Sequence, residues 1–297
     1  MKNTIYLLLM AGMANGLHGQ QLPSFAQFYN NDYVLNPAIG GTKGYYDVKS
    51  AYRYQWVGIQ DAPRTFTLAM NGPIVKEKMG IGGYIYSDVT GPTRRTGAKV
   101  SYSYIFKLTE TIKMSFGLAG GIMQYVVDGT EITLKEGADP AQGNTLRAAY
   151  TPDAAFGAYL YHDNFYVSVS VPQLIGTTLK FYDGSQSLDN RLRNHYYFNA
   201  GYKYKFTDIW AVEPFVQLKY APPVEPQLDA GARIIWADKL WLGGIYRTQE
   251  SATVFVGTDI SDSFVLSYAY DLLTNNLQSV SSGSHEILIG FKFRNAK

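Results

Sequence analysis

The chain of 297 residues carries 26 Lys and Arg against 24 Asp and Glu, a formal net charge of +2 that argues against nucleic acid, whose binders cluster a basic excess. It has no cysteine, which removes thiol nucleophiles, thiolate metal ligands and disulfides together. A hydrophobic content of 46% looks like that of a soluble protein, yet 25 Tyr and 29 Gly beside 17% charged residues favour aromatic strands and turns over helices.

The N-terminal run MKNTIYLLLMAGMANGLHGQQ has one Lys, an apolar stretch and small residues leading to Gly19. It reads as a secretory signal peptide over residues 1–19, with Gln20 the first mature residue. Nothing later approaches the ~20 consecutive apolar residues of a transmembrane helix. An exported membrane protein of this kind must therefore be a closed barrel, because only helices and closed sheets satisfy every backbone group in lipid. Residues 20–44 lack periodicity, but Phe25, Phe28, Tyr29 and Tyr33 are too aromatic for a solvated tail. The segment is expected to be an ordered plug or a periplasmic docking element.

From Tyr45 to the end, period-2 alternation recurs in about fourteen segments of the strand length of an outer-membrane barrel. In YYDVKSAYRYQW one face carries Tyr46, Val48, Tyr52, Tyr54 and Trp56, and the other Asp47, Lys49, Arg53 and Gln55. TGAKVSYSYIFK, HYYFNAGYKYKF and HEILIGFKF repeat the separation. A Lys or Arg facing lipid at the midplane costs about 2–4 kcal/mol, so the charged face should line the lumen. Trp56, Trp210 and Trp236 fall where interfacial aromatic girdles would lie. The alternation is weakest at ATVFVGTDI, where both faces are apolar, and Pro214 suggests a bulge.

Loop lengths agree with this reading. Even-numbered connections are short, while long excursions around Val126 to Ala148, Pro172 to Asn194 and TNNLQSVSSGS fall at odd positions, as external loops should. The competing fold is a soluble β-sandwich or propeller, which would not need the signal peptide, the girdles and the loop parity together. The expected architecture is thus an all-β transmembrane antiparallel barrel over residues 45–297, preceded by the signal peptide and the segment 20–44.

Little in the sequence points to catalysis. His285-Glu286 begins like a zinc-protease helix motif, but no second His follows at the required spacing. Glycines 80, 82 and 83 are expected to relieve barrel curvature rather than to cradle a phosphate. Glu213, Asp229 and Asp271 are read as lumenal partners of Arg53, Lys203 and Arg233. No catalytic residue, cofactor or metal is assigned.

Two stretches carry a specific resemblance. FAQFYNNDYVLNPAIGG followed by YRYQWVGIQDAPRTFTLAMNGPI resembles the opening of the PorP/SprF family, outer-membrane barrels of the type IX secretion system of Bacteroidetes. LWLGGIYR, FVLSYAYDLLTNNL and SGSHEILIGF resemble its closing signature. The chain departs from the pattern at Ile39-Gly40 and Gln60-Asp61. The matched positions are Asn36, Pro37 and Ala38; Arg53, Gln55, Trp56 and Pro63; Tyr246 and Arg247; Tyr268, Tyr270 and Asp271; and Ser284, His285 and Glu286.

The resemblance implies a non-enzymatic barrel that helps export a cargo protein or adhesin, such as those used in gliding motility, and retains it at the cell surface. Implied partners are the cargo's C-terminal domain, periplasmic ring and motor components, and outer-membrane lipid. Arg53, Asp271 and Glu286 are expected to face the lumen and clamp the N-terminal segment where the barrel closes. Arg147, Arg191 and Arg193, in the long external loops, are candidate contacts for an acidic cargo surface or for lipopolysaccharide. The alternative is an outer-membrane channel or a transporter of hydrophobic compounds.

Overall fold

In a computed structural model the described residues are 22–75, 77–132, 145–176 and 192–293. Fourteen antiparallel strands follow one another in chain order. The first seven are β1 (Tyr46–Tyr54), β2 (Arg64–Val75), β3 (Met79–Thr90), β4 (Thr93–Lys107), β5 (Lys113–Asp128), β6 (Leu146–Tyr161) and β7 (Phe165–Gln173). Then come β8 (His195–Tyr202, resuming at Tyr204–Lys205), β9 (Trp210–Tyr220), β10 (Gln227–Trp236), β11 (Leu240–Arg247), β12 (Ser251–Asp259), β13 (Phe264–Leu273) and β14 (Ser284–Phe293). β14 pairs with β1 from Tyr46↔Phe293 to Tyr54↔His285, so the sheet closes and leaves no edge.

The strands obey the inside-out pattern. On β4 the outward Val100 is 72% exposed, whereas its inward neighbours Lys99 and Ser101 are buried. β8 turns Tyr196, Phe198 and Tyr202 outward and His195, Tyr197 and Asn199 inward. Trp210 and Trp236 face each other across β9 and β10 at one rim, both exposed. Connections at that rim, such as residues 162–164, 237–239 and 260–263, are short, which makes it periplasmic. The longer connections, between β5 and β6, β7 and β8, and β13 and β14, leave the strands at the other, outer rim.

Several local expectations are corrected. β1 ends at Tyr54, and Trp56 sits beyond it in a left-handed turn with φ 50, so it does not continue the lipid face. Pro214 makes no bulge. It stays in continuous register with β10 opposite Ala232, and β8 keeps one register on both sides of its break at Lys203. The missing donor interrupts a ladder without shifting it. The register shifts fall instead at Pro73/Val75 and at Ser170/Gln173.

The inward glycines have a purpose other than curvature. A Cβ on Gly80 would lie 2.2 Å from the Gly40 oxygen, and one on Gly82 would lie 2.5 Å from the Tyr33 hydroxyl. Gly117 and Gly157 are direct partners across β5 and β6. A Cβ on the first would meet the Ala38 nitrogen at 2.3 Å, and on the second the Asn36 Oδ1 at 1.9 Å. Residues 36–40 thus press onto a wall whose side chains have been removed to admit them. The doubly apolar β12 has a related explanation: Phe255 points inward and is buried against Tyr29.

Gly157→Val should leave the barrel able to fold but dislodge the 36–40 turn. Tryptic cleavage after Lys43 of the detergent-solubilised protein is then expected to accelerate by about 10-fold or more, the equivalent of losing at least ~1.4 kcal/mol of docking. An unchanged cleavage rate would show that the close approach at Gly157 is not needed to hold the turn.

Candidate functional site

The site is built where segment 22–44 meets the inward faces of the strands. Its first residues lie toward the outer rim. The Glu286 carboxylate on β14 accepts from the Ala26 backbone N–H at 2.6 Å and from the Gln27 N–H at 3.0 Å. Gln27 Nε2 donates back to the Glu286 carbonyl at 3.2 Å, and Ser267 Oγ donates to Gln27 Oε1. Arg247, at the outer end of β11, donates from Nη2 to the Phe25 carbonyl at 2.9 Å. Lys219 on β9 reaches Ser24 Oγ at 3.0 Å. Four consecutive residues are therefore held, three of the contacts through their backbone and three through the Ser24 and Gln27 side chains.

The groups that grip this peptide are themselves cross-linked. Arg53 Nη2 lies 2.5 Å from Asp271 Oδ2, and its Nη1 lies 3.3 Å from Glu286 Oε2. Thr253 completes the shell of Asp271 at 2.7 Å. Arg247 Nε sits 3.1 Å from both oxygens of Asp229, and its Nη1 sits 3.1 Å from Glu250. Lys219 also contacts Asp229, at 3.1 Å. Arg53, Arg247, Asp229, Asp271 and Glu286 are each at most 1% exposed. At such burial every charge needs its partners, since removing one leaves the others stranded in a poorly solvating interior.

Below this network the segment turns aromatic. Tyr29 stacks on Phe215 of β9 with centroids 5.0 Å apart and lies under the Arg233 guanidinium at 4.9 Å. The short helix α1 (Asp32–Leu35) follows, and Tyr33 shares a 2.6 Å hydrogen bond with Ser101 of β4. At its end Asn36 caps the turn through Ala38 N–H at 2.8 Å, while its Nδ2 donates to Ser168 Oγ at 2.8 Å and the Ala158 carbonyl at 3.0 Å. Pro37 pre-sets the backbone of the following 3-10 turn (Pro37–Ile39).

Near the periplasmic rim Lys43 bridges Asp32 at 2.9 Å and Asp47 at 3.1 Å. Burial alone would lower its ammonium, but the two carboxylates more than reverse that and hold its pKa well above the ordinary lysine value. The segment thus descends along the lumen from the outer half to the start of β1, touching strands on every side.

The residues picked out in the sequence divide into groups. Arg53, Arg247, Asp271 and Glu286 converge on residues 25–27, and Asn36, Pro37 and Ala38 form the lower turn. Gln55, Trp56, Pro63 and Ser284 shape the first external loop instead. Gln55 N–H donates to the Pro63 carbonyl at 2.9 Å and Trp56 N–H to Ser284 Oγ at 3.1 Å. Tyr246, Tyr268, Tyr270 and His285 lie on the outward face, where Tyr268 and His285 share a 2.6 Å hydrogen bond. Arg147 stands near the outer end of β6 and Arg193 in the connection after β7; Arg191 lies outside the described residues.

Lys203 pairs with Asp238 in a periplasmic turn rather than with a lumenal carboxylate, while Arg233 pairs with Glu213 at 2.8 Å. Sequence reasoning missed Lys219 and Glu250 as members of the network. The available signal was the ionic face of β9, on which Lys219 aligns with Glu213 and Gln217. Among the described residues no three His, Asp or Glu side chains converge as a metal site.

The closed sheet, the outward apolar face and the loop asymmetry define an outer-membrane β-barrel. A deletion mutant of the TodX monoaromatic hydrocarbon channel superposes with a TM-score of 0.50 at 8% identity, over 89% of this chain and 94% of that one. The CymD monoaromatic hydrocarbon channel gives 0.49 at 12% identity, over 93% and 94%, and a Pseudomonas aeruginosa FadL homologue 0.46 at 8%, over 85% and 89%. At such identities the first shares the fold alone. No curated protein matches the chain. The family described as type IX secretion system membrane protein PorP/SprF matches residues 17–291, and the chain belongs to that family.

Arg53→Ala strands Asp271 and Glu286 and is expected to destabilise the folded protein by about 3–5 kcal/mol, read from urea unfolding in detergent. Adding Glu286→Gln to that variant should recover part of the loss, because it removes one uncompensated charge. Unchanged stability in Arg53→Ala would show that the network does not hold the closing strands.

Proposed function

We propose that this barrel is a non-enzymatic platform that supports the export of a partner cargo protein or adhesin and retains it at the cell surface. On this reading residues 1–19 are a signal peptide, residues 20–44 form a plug, and residues 45–297 are the barrel. The observation that carries the proposal is the docking of residues 24–27 on Glu286, Arg247 and Lys219, with residues 29–40 packed beneath them. A lumen occupied by its own chain is poorly suited to diffusion and leaves the two rims as working surfaces.

The outer rim, with Arg147 and Arg193, faces the cargo's C-terminal domain. The periplasmic rim faces ring and motor components of the secretion system. Membership of the type IX secretion family supports both assignments.

A second reading, a channel for hydrophobic compounds, draws on a small cavity in the outer half of the lumen lined by Leu22, Phe25, Val34, Tyr84 and Tyr197. Two measurements separate the readings. Affinity capture of the tagged protein from detergent-solubilised outer membrane is expected to bring down a large surface protein together with periplasmic ring lipoproteins. In planar bilayers the intact protein should be silent, and deletion of residues 22–44 should open steady ion flux. Recovery of the barrel alone, with steady conductance in the intact protein, would favour the channel.

A further inference from the structure

We propose that Arg64 and Arg94, on the lipid-facing side of the outer rim, form a binding site for the phosphate of an outer-leaflet glycolipid. The inference is independent of what occupies the lumen and rests only on barrel orientation.

The register supplies the geometry. Arg64 of β2 pairs with Val89 of β3, and Val89 pairs in turn with Arg94 of β4, so the two arginines stand on one face of three adjacent strands. Their backbones are therefore about 10 Å apart, two inter-strand spacings. Both share the parity of exposed apolar residues, Phe66 and Leu68 on β2 and Val100 on β4. Their side chains consequently project outward. Arg95, one residue on from Arg94, has the opposite parity and is satisfied inside by Asp88 at 2.7 Å.

Neither outward guanidinium is in salt-bridge contact with a carboxylate among the described residues. Arg64 lies over the Tyr54 ring at 4.9 Å and hydrogen-bonds that side chain, a neutral partner that leaves its charge uncompensated. Asp128 of β5 is within electrostatic reach of Arg94 without forming a salt bridge with it, and its carboxylate is engaged by Thr130 through its backbone N–H at 3.0 Å and its hydroxyl at 2.6 Å.

The chemistry of the position selects the ligand. A cation here needs an anion from its surroundings, and at the outer interface that anion is a lipid headgroup. A guanidinium presents a planar fork that meets phosphate oxygens two at a time, which a lysine cannot do. Ser87 and Thr96, paired across β3 and β4 one step below the arginines on the same face, add hydroxyl donors at the depth of a sugar ring. Below them Phe66, Leu68, Ile85 and Val100 offer an apolar wall for acyl chains. Strands of such barrels tilt by about 35–45°, so the row climbs from Arg64 to Arg94 and spans the thickness of a headgroup rather than one plane.

The test uses the full-length protein in neutral detergent, with added diphosphoryl lipid A, the same lipid dephosphorylated, or phosphatidylglycerol. The readout is the temperature at which the compact, heat-modifiable gel band is lost. Diphosphoryl lipid A should raise that temperature, and R64A/R94A should lose most of the rise, whereas K203A/K205A at the periplasmic rim should keep it. The dephosphorylated lipid should have little effect. An equal rise in R64A/R94A, or an equal rise with the dephosphorylated lipid, would overturn the site. An equal rise with phosphatidylglycerol would overturn the glycolipid assignment in favour of general anion attraction. If the alanine pair fails to refold, R64K/R94K carries the test: it keeps the charge and loses the fork, so a smaller rise supports the site and an unchanged one removes it.

Discussion

A guanidinium sealed from water must find its counter-charges within reach, and in this barrel that requirement is met at one place only by bringing three distant parts of the chain together. Arg53 comes from the first strand, Asp271 and Glu286 from the last two, and the peptide that Glu286 also grips comes from ahead of the barrel. Arg53 and Glu286 are direct cross-strand partners in the ladder that closes the cylinder. The same contact therefore marks closure of the sheet and docking of the segment. A carboxylate that accepts two backbone N–H groups and one guanidinium has most of its acceptor sites used, which makes its complete burial tolerable.

Much of the fold was legible before the structure. Alternation alone separates Lys99, Ser101 and Ser103 from Val100, Tyr102 and Tyr104, because lipid and lumen impose opposite solvation on successive residues. The inward direction of Arg53, Asp271 and Glu286 followed from the same parity. What parity cannot encode is the occupant of the lumen. ATVFVGTDI reads as ambiguous because Phe255 faces a buried tyrosine rather than water, and the glycines at 80 and 82 read as curvature because nothing local announces a second layer of chain. Pro214 misled for another reason: a missing donor was equated with an extra residue, and the ladder tolerates the first without the second.

The interior is accordingly organised as a small protein core inside a cylinder. Tyr29, Phe28, Phe215 and Phe255 form its aromatic centre, with Phe28 set edge-on to Phe215 at 5.5 Å. Ionic layers bound it above and below, the upper on Arg53 and Arg247 and the lower on Lys43 between Asp32 and Asp47. The hydrophobic effect thus acts twice and in opposite directions. Outside, apolar side chains meet hydrocarbon; inside, apolar side chains meet the chain's own leader. A barrel with the same strand number but no such leader would have to present Phe215 and Phe255 to water.

The order of assembly follows from these distances along the chain. Ala26 and Glu286 are separated by 260 residues, and Asn36 and Ser168 by 132, so the partners that hold residues 26 and 36 are far from them along the chain. The entropy of closing such loops cannot be recovered one contact at a time. The Arg53–Glu286 grip on residues 26 and 27 is complete only once β14 has paired with β1, since the two side chains are then placed side by side by the ladder itself. Docking of residues 26 and 27 on that pair therefore follows, or coincides with, closure of the wall. A segment docked at residues 26 and 27 is for that reason a signature of a closed cylinder, which the lower contacts, made to β1, β6 and β7, are not.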